Sequence, residues 1–366
     1  MNNKKLIPII TIIIILLAMF SGCTDSFFNI STTYEKHPTK ISYTILYGYN
    51  VTCNGTGKYT ITYNCDIPSL LFGSLTYSSL YSRDYESKTI VNNDFLSWNI
   101  SGDDQNSYKL GIGADVIADT FFVSDLNGED ALTIKQINDY YGSLSKKYMQ
   151  VQSDGADLLI DPKDNNIRSV AQYILDTTET DNSFVISKEL FIWLKENTDY
   201  KTHNTKGSVQ PAAVTLSKKT GDCDDLSFLY ISLCRSVGIP ARFIRGYLLS
   251  EDDFGEVFAT PHAWSEVFVG GSIGNDGWIP VECACQCDEV KTQVNQNFGI
   301  ENAYHLRLFV DDGTNESLNV SLSGLLYSYF PGRVIDLESF NIIEDYVEIE
   351  SKKLTVSGDN QRSYKN

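Results

Sequence analysis

The sequence predicts an α+β protein in which a small β-sandwich precedes a second half, where helices pack on an antiparallel sheet. Three observations support this fold class. Apolar and polar residues alternate from Ile41 to Cys65, apolar residues recur at helical spacing between Ile134 and Ile174, and strand-like segments return after a later helix. The 366 residues are enough for two domains, each with its own core.

The N-terminal segment has the order of residues that is typical of a secretory signal. Lys4 and Lys5 precede an apolar run from Leu6 to Phe20, and Ser21, Gly22 and Cys23 follow. This stretch resembles a prokaryotic lipoprotein signal, which implies a signal peptide at residues 1–22 and a lipid on Cys23. Residues 23–39 would then be a lipid-anchored tether at the extracytoplasmic face of the cell membrane. An uncleaved signal anchor is the alternative, but the run is shorter than the roughly 20 residues that span a bilayer.

The charge balance excludes one class of partner. The formal net charge is -18, from 29 Lys and Arg against 47 Asp and Glu. Nucleic-acid binding requires cations that neutralise phosphates, and this chain has too few of them. We therefore expect no nucleic-acid partner.

Residues 40–150 are interpreted as the β-sandwich domain. Alternating residues from Ile41 to Tyr49 and from Tyr59 to Cys65 flank an Asn-Gly-Thr-Gly turn at residues 54–57, a pattern that predicts a β-hairpin. Further strands are expected at Phe95–Ile100 and Tyr108–Val116. A helix behind Thr133 then leads to the second half of the chain.

The second half, residues 155–310, is expected to begin with helices and to contain the chemistry. Asp161 to Asp164 open one helix, and another carries Leu190, Phe191 and Leu194. Residues 311–366 are expected to be a C-terminal β-rich extension.

Cys223 is the candidate nucleophile because it lies at the predicted start of a helix. Leu226, Leu229 and Leu233 recur behind it at helical spacing, and Gly238 and Pro240 end the pattern. Unpaired backbone N–H groups at a helix start favour a thiolate. Asp224 and Asp225 follow directly, and we interpret them as ordinary acidic residues of a first helical turn.

His262 and Glu282 are the candidate partners of this thiol. His262 opens a strand-like segment, and residues 278–282 run back antiparallel to it after a turn. A small register offset would place the Glu282 carboxylate beside the imidazole, where a carboxylate fixes the tautomer of a catalytic histidine.

These motifs resemble those of the transglutaminase-like superfamily, which has a papain-like cysteine peptidase or transglutaminase core. Three segments carry the resemblance: Thr220-Gly221-Asp222-Cys223-Asp224-Asp225, residues 234–242 (CRSVGIPAR) and His262-Ala263-Trp264-Ser265-Glu266-Val267. The resemblance implies a Cys-His-acid triad of Cys223, His262 and Glu282. Glu282 stands where the family most often has Asp. No cofactor and no metal are implied.

The remaining cysteines and histidines are interpreted as structural. Export favours disulfides, and Cys53, Cys65, Cys234, Cys283, Cys285 and Cys287 would suffice for three. His37, His203 and His305 are expected to be packed or surface residues.

The sequence thus predicts an extracytoplasmic cysteine hydrolase, a peptidase, amidase or isopeptidase that forms a thioester with a peptide or protein substrate such as a cell-wall or surface protein. A protein-glutamine transglutaminase with the same triad is one alternative. A non-catalytic cell-surface binding module is another.

Overall fold

The structure is a computed structural model that describes residues 31–202, 209–285 and 289–366. The expected signal peptide, the lipidation residue Cys23, and also His203 and Cys287 lie outside these residues. In the part that is described, no helix has both the length and the apolar character to cross a bilayer.

A β-sandwich is built from two antiparallel sheets. The strands of the first sheet, in spatial order, are β19 (Arg362–Lys365), β18 (Arg333–Val356), β1 (Thr32–Gly55), β6 (Asn106–Asp119) and β3 (Gly73–Ser79). Those of the second are β17 (Leu326–Tyr329), β2 (Tyr59–Asp66), β5 (Asn93–Gly102) and β4 (Tyr85–Ile90). Strands from both halves of the chain therefore make this sandwich, since β17 pairs with β2, β18 with β1, and β19 with β18.

The alternation at residues 41–65 predicts the buried face correctly but the pairing wrongly. Ile41, Ile45 and Ile61 are fully buried, as the pattern requires. The predicted hairpin is absent, because β1 pairs with β6 and β18 whereas β2 pairs with β5 and β17. The chain crosses from one sheet to the other at the predicted turn, and the two apolar faces meet across the core. A period of two fixes the face of a strand and leaves its neighbour open.

The second half has the predicted α+β architecture. Its antiparallel sheet has the spatial order β14 (Trp278–Val281), β13 (Val257–Phe268), β12 (Ala241–Glu251) and β16 (His305–Val310). The helices of the described residues are α1 (Ile134–Tyr140), α2 (Gly142–Tyr148), α3 (Asn165–Thr178), α4 (Ser183–Asn197), α5 (Ala212–Lys218), α6 (Cys223–Ser236), α7 (Val290–Asn297) and α8 (Asn315–Ser321). Short strands complete the fold: β7 (Phe121–Phe122) with β15 (Ile300–Glu301), β8 (Gln152–Ser153) with β9 (Leu158–Ile160), and β10 (Asp199–Tyr200) with β11 (Thr220–Gly221).

Helix starts follow their sequence signals. Thr133 caps α1 with a capping box to Gln136, and Asp164 caps α3. The single helix expected at residues 134–148 is two helices, because the chain leaves helical geometry at Tyr141.

Helix α6 is the centre of the second half. Its residues from Asp225 to Arg235 are all buried, and α3, α4 and α5 contact it together with β12 and β13. Arg235, also buried, donates to the carbonyl oxygens of Ala241 and Gln150. A helix enclosed on all sides holds its first residue in a fixed position.

The sandwich and the sheet of the second half share a core. Leu249 and Leu306, from β12 and β16, pack among the apolar residues of the sandwich. Arg245 of β12 also bonds Asp66 of β2 at 2.8 Å. These contacts fix the sandwich against the sheet that carries His262.

The disulfides expected from export are not formed among the described cysteines. Cys53, Cys65, Cys223, Cys234 and Cys283 are free thiols. Cys53, Cys65, Cys234 and Cys283 are buried, where a thiol packs as a small apolar group. The expectation of three bridges is therefore wrong for these residues.

Candidate active site

Cys223 is the first residue of α6, as the sequence predicted. The helix starts with a capping box in which the Asp225 carboxylate accepts a hydrogen bond from the Asp222 backbone at 3.1 Å. Gly221 makes this close turn possible, since a Cβ atom there would lie 2.6 Å from the Cβ atom of Asp225. The half-buried thiol therefore stands in the first helical turn, beside the backbone N–H groups that have no partner within the helix.

His262 contacts both of its expected partners. It lies in β13 opposite Gly246 of β12. Its Nε2 atom is 2.7 Å from Oε2 of Glu282. The Cys223 side chain is near enough to the same imidazole to raise its pKa. Because Nε2 is engaged by the carboxylate, Nδ1 is the ring nitrogen left for the sulfur. The structure thus brings together the three residues that the sequence selected.

Glu282 reaches His262 from just beyond the end of β14. Val281 pairs with Ser265 of β13, so Glu282 is the next residue along the edge of the sheet. Its backbone N–H donates to the Asn297 carbonyl at 3.0 Å, and its Oε1 atom accepts from the Ala284 backbone at 2.7 Å. One bond fixes the backbone of Glu282 and the other fixes its carboxylate.

Charge stabilises the pair. Burial alone would lower the pKa of His262, but the Glu282 carboxylate and the Cys223 side chain outweigh it and raise that pKa to about 10. For Glu282, burial opposes ionisation, but His262 and His305 hold its pKa well below its ordinary value. The imidazole is thus protonated and the carboxylate ionised at neutral pH.

His305 is a site residue that the sequence interpretation missed. It is buried, as expected of a packed residue, yet its Nε2 atom lies 3.1 Å from Oε2 of Glu282. A lone histidine at the start of a strand gives no sign of this contact. The contact depends on the position of His305 in β16. This strand pairs with β12, and β12 pairs on its other side with β13, which carries His262.

A buried ion network supports the imidazoles. Trp264 packs edge-on against His305, with ring centroids 4.8 Å apart, and donates its Nε1–H to Glu301 at 2.9 Å. Arg307 bonds both Glu301 and Glu266. Arg307 therefore pairs these buried carboxylates and fixes the indole that contacts both imidazoles.

The acids beside Cys223 do not all carry charge. Burial, then the hydrogen bond and charge of Asp222, raise the pKa of Asp224 to about 9. Asp224 is therefore protonated at neutral pH and does not oppose a thiolate. The Asp225 carboxylate accepts a hydrogen bond from the Gln210 backbone at 2.6 Å, which ties the residue before Pro211 and α5 to the start of α6. Asp225 agrees with the interpretation of these acids as ordinary residues of a first helical turn, whereas an uncharged Asp224 does not complement the helix dipole.

Tyr200 also belongs to this neighbourhood. Strand β10 runs parallel to β11 and places Tyr200 opposite Gly221, two residues before Cys223. Burial, together with the charges of Cys223, Asp222 and Glu282, raises the pKa of Tyr200 to about 12. Its phenol therefore stays protonated as a possible hydrogen-bond donor. The sequence carried no motif that would have selected it.

The His262, Glu282 and His305 cluster is explained by hydrogen bonding. The nitrogen and oxygen atoms of these residues that could ligate a metal lie within 4.8 Å of one another. The carboxylate oxygens of Asp222, Asp224 and Asp225 form a second such group. In the first cluster the imidazoles bond the carboxylate directly, and in the second the acids cap α6. A metal ion would have to break these bonds to enter.

Comparison with known proteins agrees with the fold. Residues 168–283, which include Cys223, His262 and Glu282, match the model of the transglutaminase-like superfamily. No curated protein matches the chain.

Solved structures are similar to the chain only at low sequence identity and with TM-scores below 0.5. A candidate cysteine protease from Cytophaga hutchinsonii is 13% identical, with a TM-score of 0.47, over 92% of this chain and 100% of that one. The periplasmic domain of TgpA from Pseudomonas aeruginosa is 10% identical, with a TM-score of 0.32, over 68% of this chain and 88% of that one.

Proposed function

We propose that this protein is an extracytoplasmic cysteine hydrolase that cleaves amide or isopeptide bonds of a peptide or protein substrate. One observation carries the proposal. His262 is bonded to Glu282 at 2.7 Å and lies near enough to the thiol at the start of α6 for the Cys223 side chain to raise its pKa. A thiol, an imidazole and a carboxylate in this order form an activated nucleophile.

The first half of the reaction forms a thioester. The Cys223 thiolate attacks the substrate carbonyl carbon, and the new S–C bond leaves a negative charge on the carbonyl oxygen. The backbone N–H of Cys223, in the first turn of α6, can donate to that oxygen. The C–N bond then breaks, and the His262 imidazolium gives its proton to the departing amine.

The second half returns the enzyme. Neutral His262 takes a proton from water, whose oxygen attacks the thioester carbonyl. The S–C bond breaks, the carboxylic acid leaves, and the thiolate and imidazolium are restored. A primary amine in place of water would make the same residues a transglutaminase.

Turnover of peptides with and without an added amine tests this proposal. The wild-type chain should release a free amine and a new carboxylate, and Cys223→Ala should abolish release. Cys285→Ala is the matched control, because Cys285 is another partly exposed thiol and should be dispensable. Amine incorporation in preference to hydrolysis would replace the proposal by a transglutaminase. Binding without any turnover would favour a non-catalytic module.

We also propose that the chain is lipid-anchored through Cys23 at the extracytoplasmic face. The support is the order of residues 1–23 alone. Labelling of cells with an alkyne fatty acid should tag the wild-type protein, and Cys23→Ser should lose the tag. An untagged wild-type protein would overturn the anchor and leave the site chemistry unaffected.

A further inference from the structure

One carboxylate oxygen at the site accepts two imidazoles. Oε2 of Glu282 lies 2.7 Å from Nε2 of His262 and 3.1 Å from Nε2 of His305. The second contact joins Glu282 to a histidine that is not part of the Cys223, His262 and Glu282 triad. It therefore requires an explanation other than direct participation in the chemistry.

The other face of the His305 ring is also bonded. Its Nδ1 atom lies 2.8 Å from Oδ1 of Asn302. The same oxygen accepts a hydrogen bond from the Tyr304 backbone at 3.1 Å, which fixes the orientation of the amide. Both ring nitrogens of His305 therefore lie within hydrogen-bond distance of a side-chain oxygen, and Nε2 is the nitrogen that faces Glu282.

His305 has no freedom to turn away. It is 5% exposed, and Trp264 packs edge-on against its ring. Trp264 is itself held by a hydrogen bond to Glu301, and Glu301 forms an ion pair with Arg307. A donor held this firmly defines where the carboxylate oxygen can lie.

We propose that His305 is a positioning residue that holds the Glu282 carboxylate against His262, so that the site is a chain of four side chains: Cys223, His262, Glu282 and His305. This inference rests on the proposed function. The hydrogen-bond partners of the His305 side chain are Glu282 and Asn302, so its proposed effect on the thiol passes through Glu282. Without it, the carboxylate keeps its bond to the Ala284 backbone and loses the donor that fixes Oε2.

Several titratable or charged groups lie at or near these four side chains and could influence how activity depends on pH. Those nearest to the imidazoles are Cys223, Glu282 and Tyr200, with Glu301 and Arg307 behind Trp264. A change that appears only when the His305 donor is removed separates its contribution from theirs.

Two substitutions distinguish positioning from simple packing. His305→Phe keeps an aromatic ring but removes both ring nitrogens, while His305→Gln keeps a side-chain N–H in reach of Glu282. We expect His305→Phe to lower kcat roughly 10- to 100-fold, the range for a hydrogen bond to a charged group, with KM changed less than threefold. The alkaline limb of its pH profile should move to lower pH. His305→Gln should recover most of kcat.

His37→Phe is the matched control. His37 also makes one side-chain hydrogen bond, 3.1 Å to the Tyr364 hydroxyl, in the sandwich. Its loss should leave kcat and the pH profile unchanged. If His305→Phe behaves like His37→Phe in both measurements, His305 is a packing residue and the proposal is wrong.

Two further measurements do not depend on turnover. The pH dependence of Cys223 alkylation should shift in His305→Phe and not in His37→Phe, even if no substrate is ever hydrolysed. ¹⁵N-histidine NMR of the wild-type chain, which has four histidines, should show a slowly exchanging, hydrogen-bonded Nε2–H on His305. A rapidly exchanging or absent Nε2–H would overturn the proposal without any variant that must fold.

Discussion

The Glu282 carboxylate lies 2.7 Å from the His262 imidazole, although it comes from a residue one position past the end of its strand. The family most often has Asp at this position. The longer side chain of Glu282 reaches both His262 and His305 while its Oε1 atom stays bonded to the Ala284 backbone. The length of this acid is therefore matched to a site with two imidazoles.

The first prediction concerns this match. Glu282→Gln keeps the shape and removes the charge that stabilises the imidazolium, so we expect kcat/KM to fall by about 100-fold or more. Glu282→Asp keeps the charge but withdraws it by one methylene, and we expect a loss of roughly tenfold. Steady-state kinetics on both variants check this, and a Glu282→Gln enzyme within twofold of wild type would exclude a catalytic role for the carboxylate.

The second prediction concerns alkaline pH. The pKa of His262 is raised from an ordinary 6.5 to about 10. Its proton therefore stabilises the folded state fully below pH 6.5, and this stabilisation is lost as the pH rises through 10. The free energy of unfolding of wild type relative to His262→Ala should decrease between pH 7 and pH 10. A difference that stays constant over this range would mean that the His262 pKa is not raised.

The third prediction concerns Asp224. Its pKa is raised from an ordinary 3.8 to about 9, mainly by burial. Asp224 therefore lowers the free energy of unfolding progressively as the pH rises above 3.8, and the full penalty is reached above pH 9. Asp224→Asn removes that penalty and keeps an amide donor toward Asp222. We expect a higher unfolding midpoint than wild type at pH 7 and no gain at pH 3, measured by urea denaturation. A lower midpoint at pH 7 would show that Asp224 is ionised in the folded protein.

The fourth prediction concerns the buried ions. Arg307→Met leaves Glu266 and Glu301 without their shared partner, and breaking a buried pair costs about 3–5 kcal/mol. Urea unfolding should show this loss. Lys135→Met is the control, because its ion pair with Asp139 is on the surface and should contribute nothing measurable. Equal stability of the two variants would contradict the assigned network.

The sequence predicted the local parts of the site better than its long-range parts. The helix start at Cys223 has a capping signal and an apolar period behind it, so position and environment follow from adjacent residues. His262 and Glu282 lie on neighbouring strands of one antiparallel pair, which a turn between them indicates. His305 could not be found in this way, because it reaches the site through β16, on the other side of β12 from β13.

The same distinction applies to the fold. The alternation in β1 and β2 identified their buried faces, but the predicted hairpin between them was wrong because period alone does not choose a strand's neighbour. The pairing of β1 with β18 joins residues near 40 to residues near 350, and no local pattern indicates that contact. The free thiols likewise reflect where the strands place each cysteine rather than how the cysteines are spaced.

The rate at which iodoacetamide alkylates each thiol at neutral pH tests the central claim most directly. If Cys223 and His262 form an activated pair, Cys223 should react much faster than Cys285, and His262→Ala should slow it by about tenfold or more. Equal rates at the two cysteines, unchanged in His262→Ala, would contradict the account.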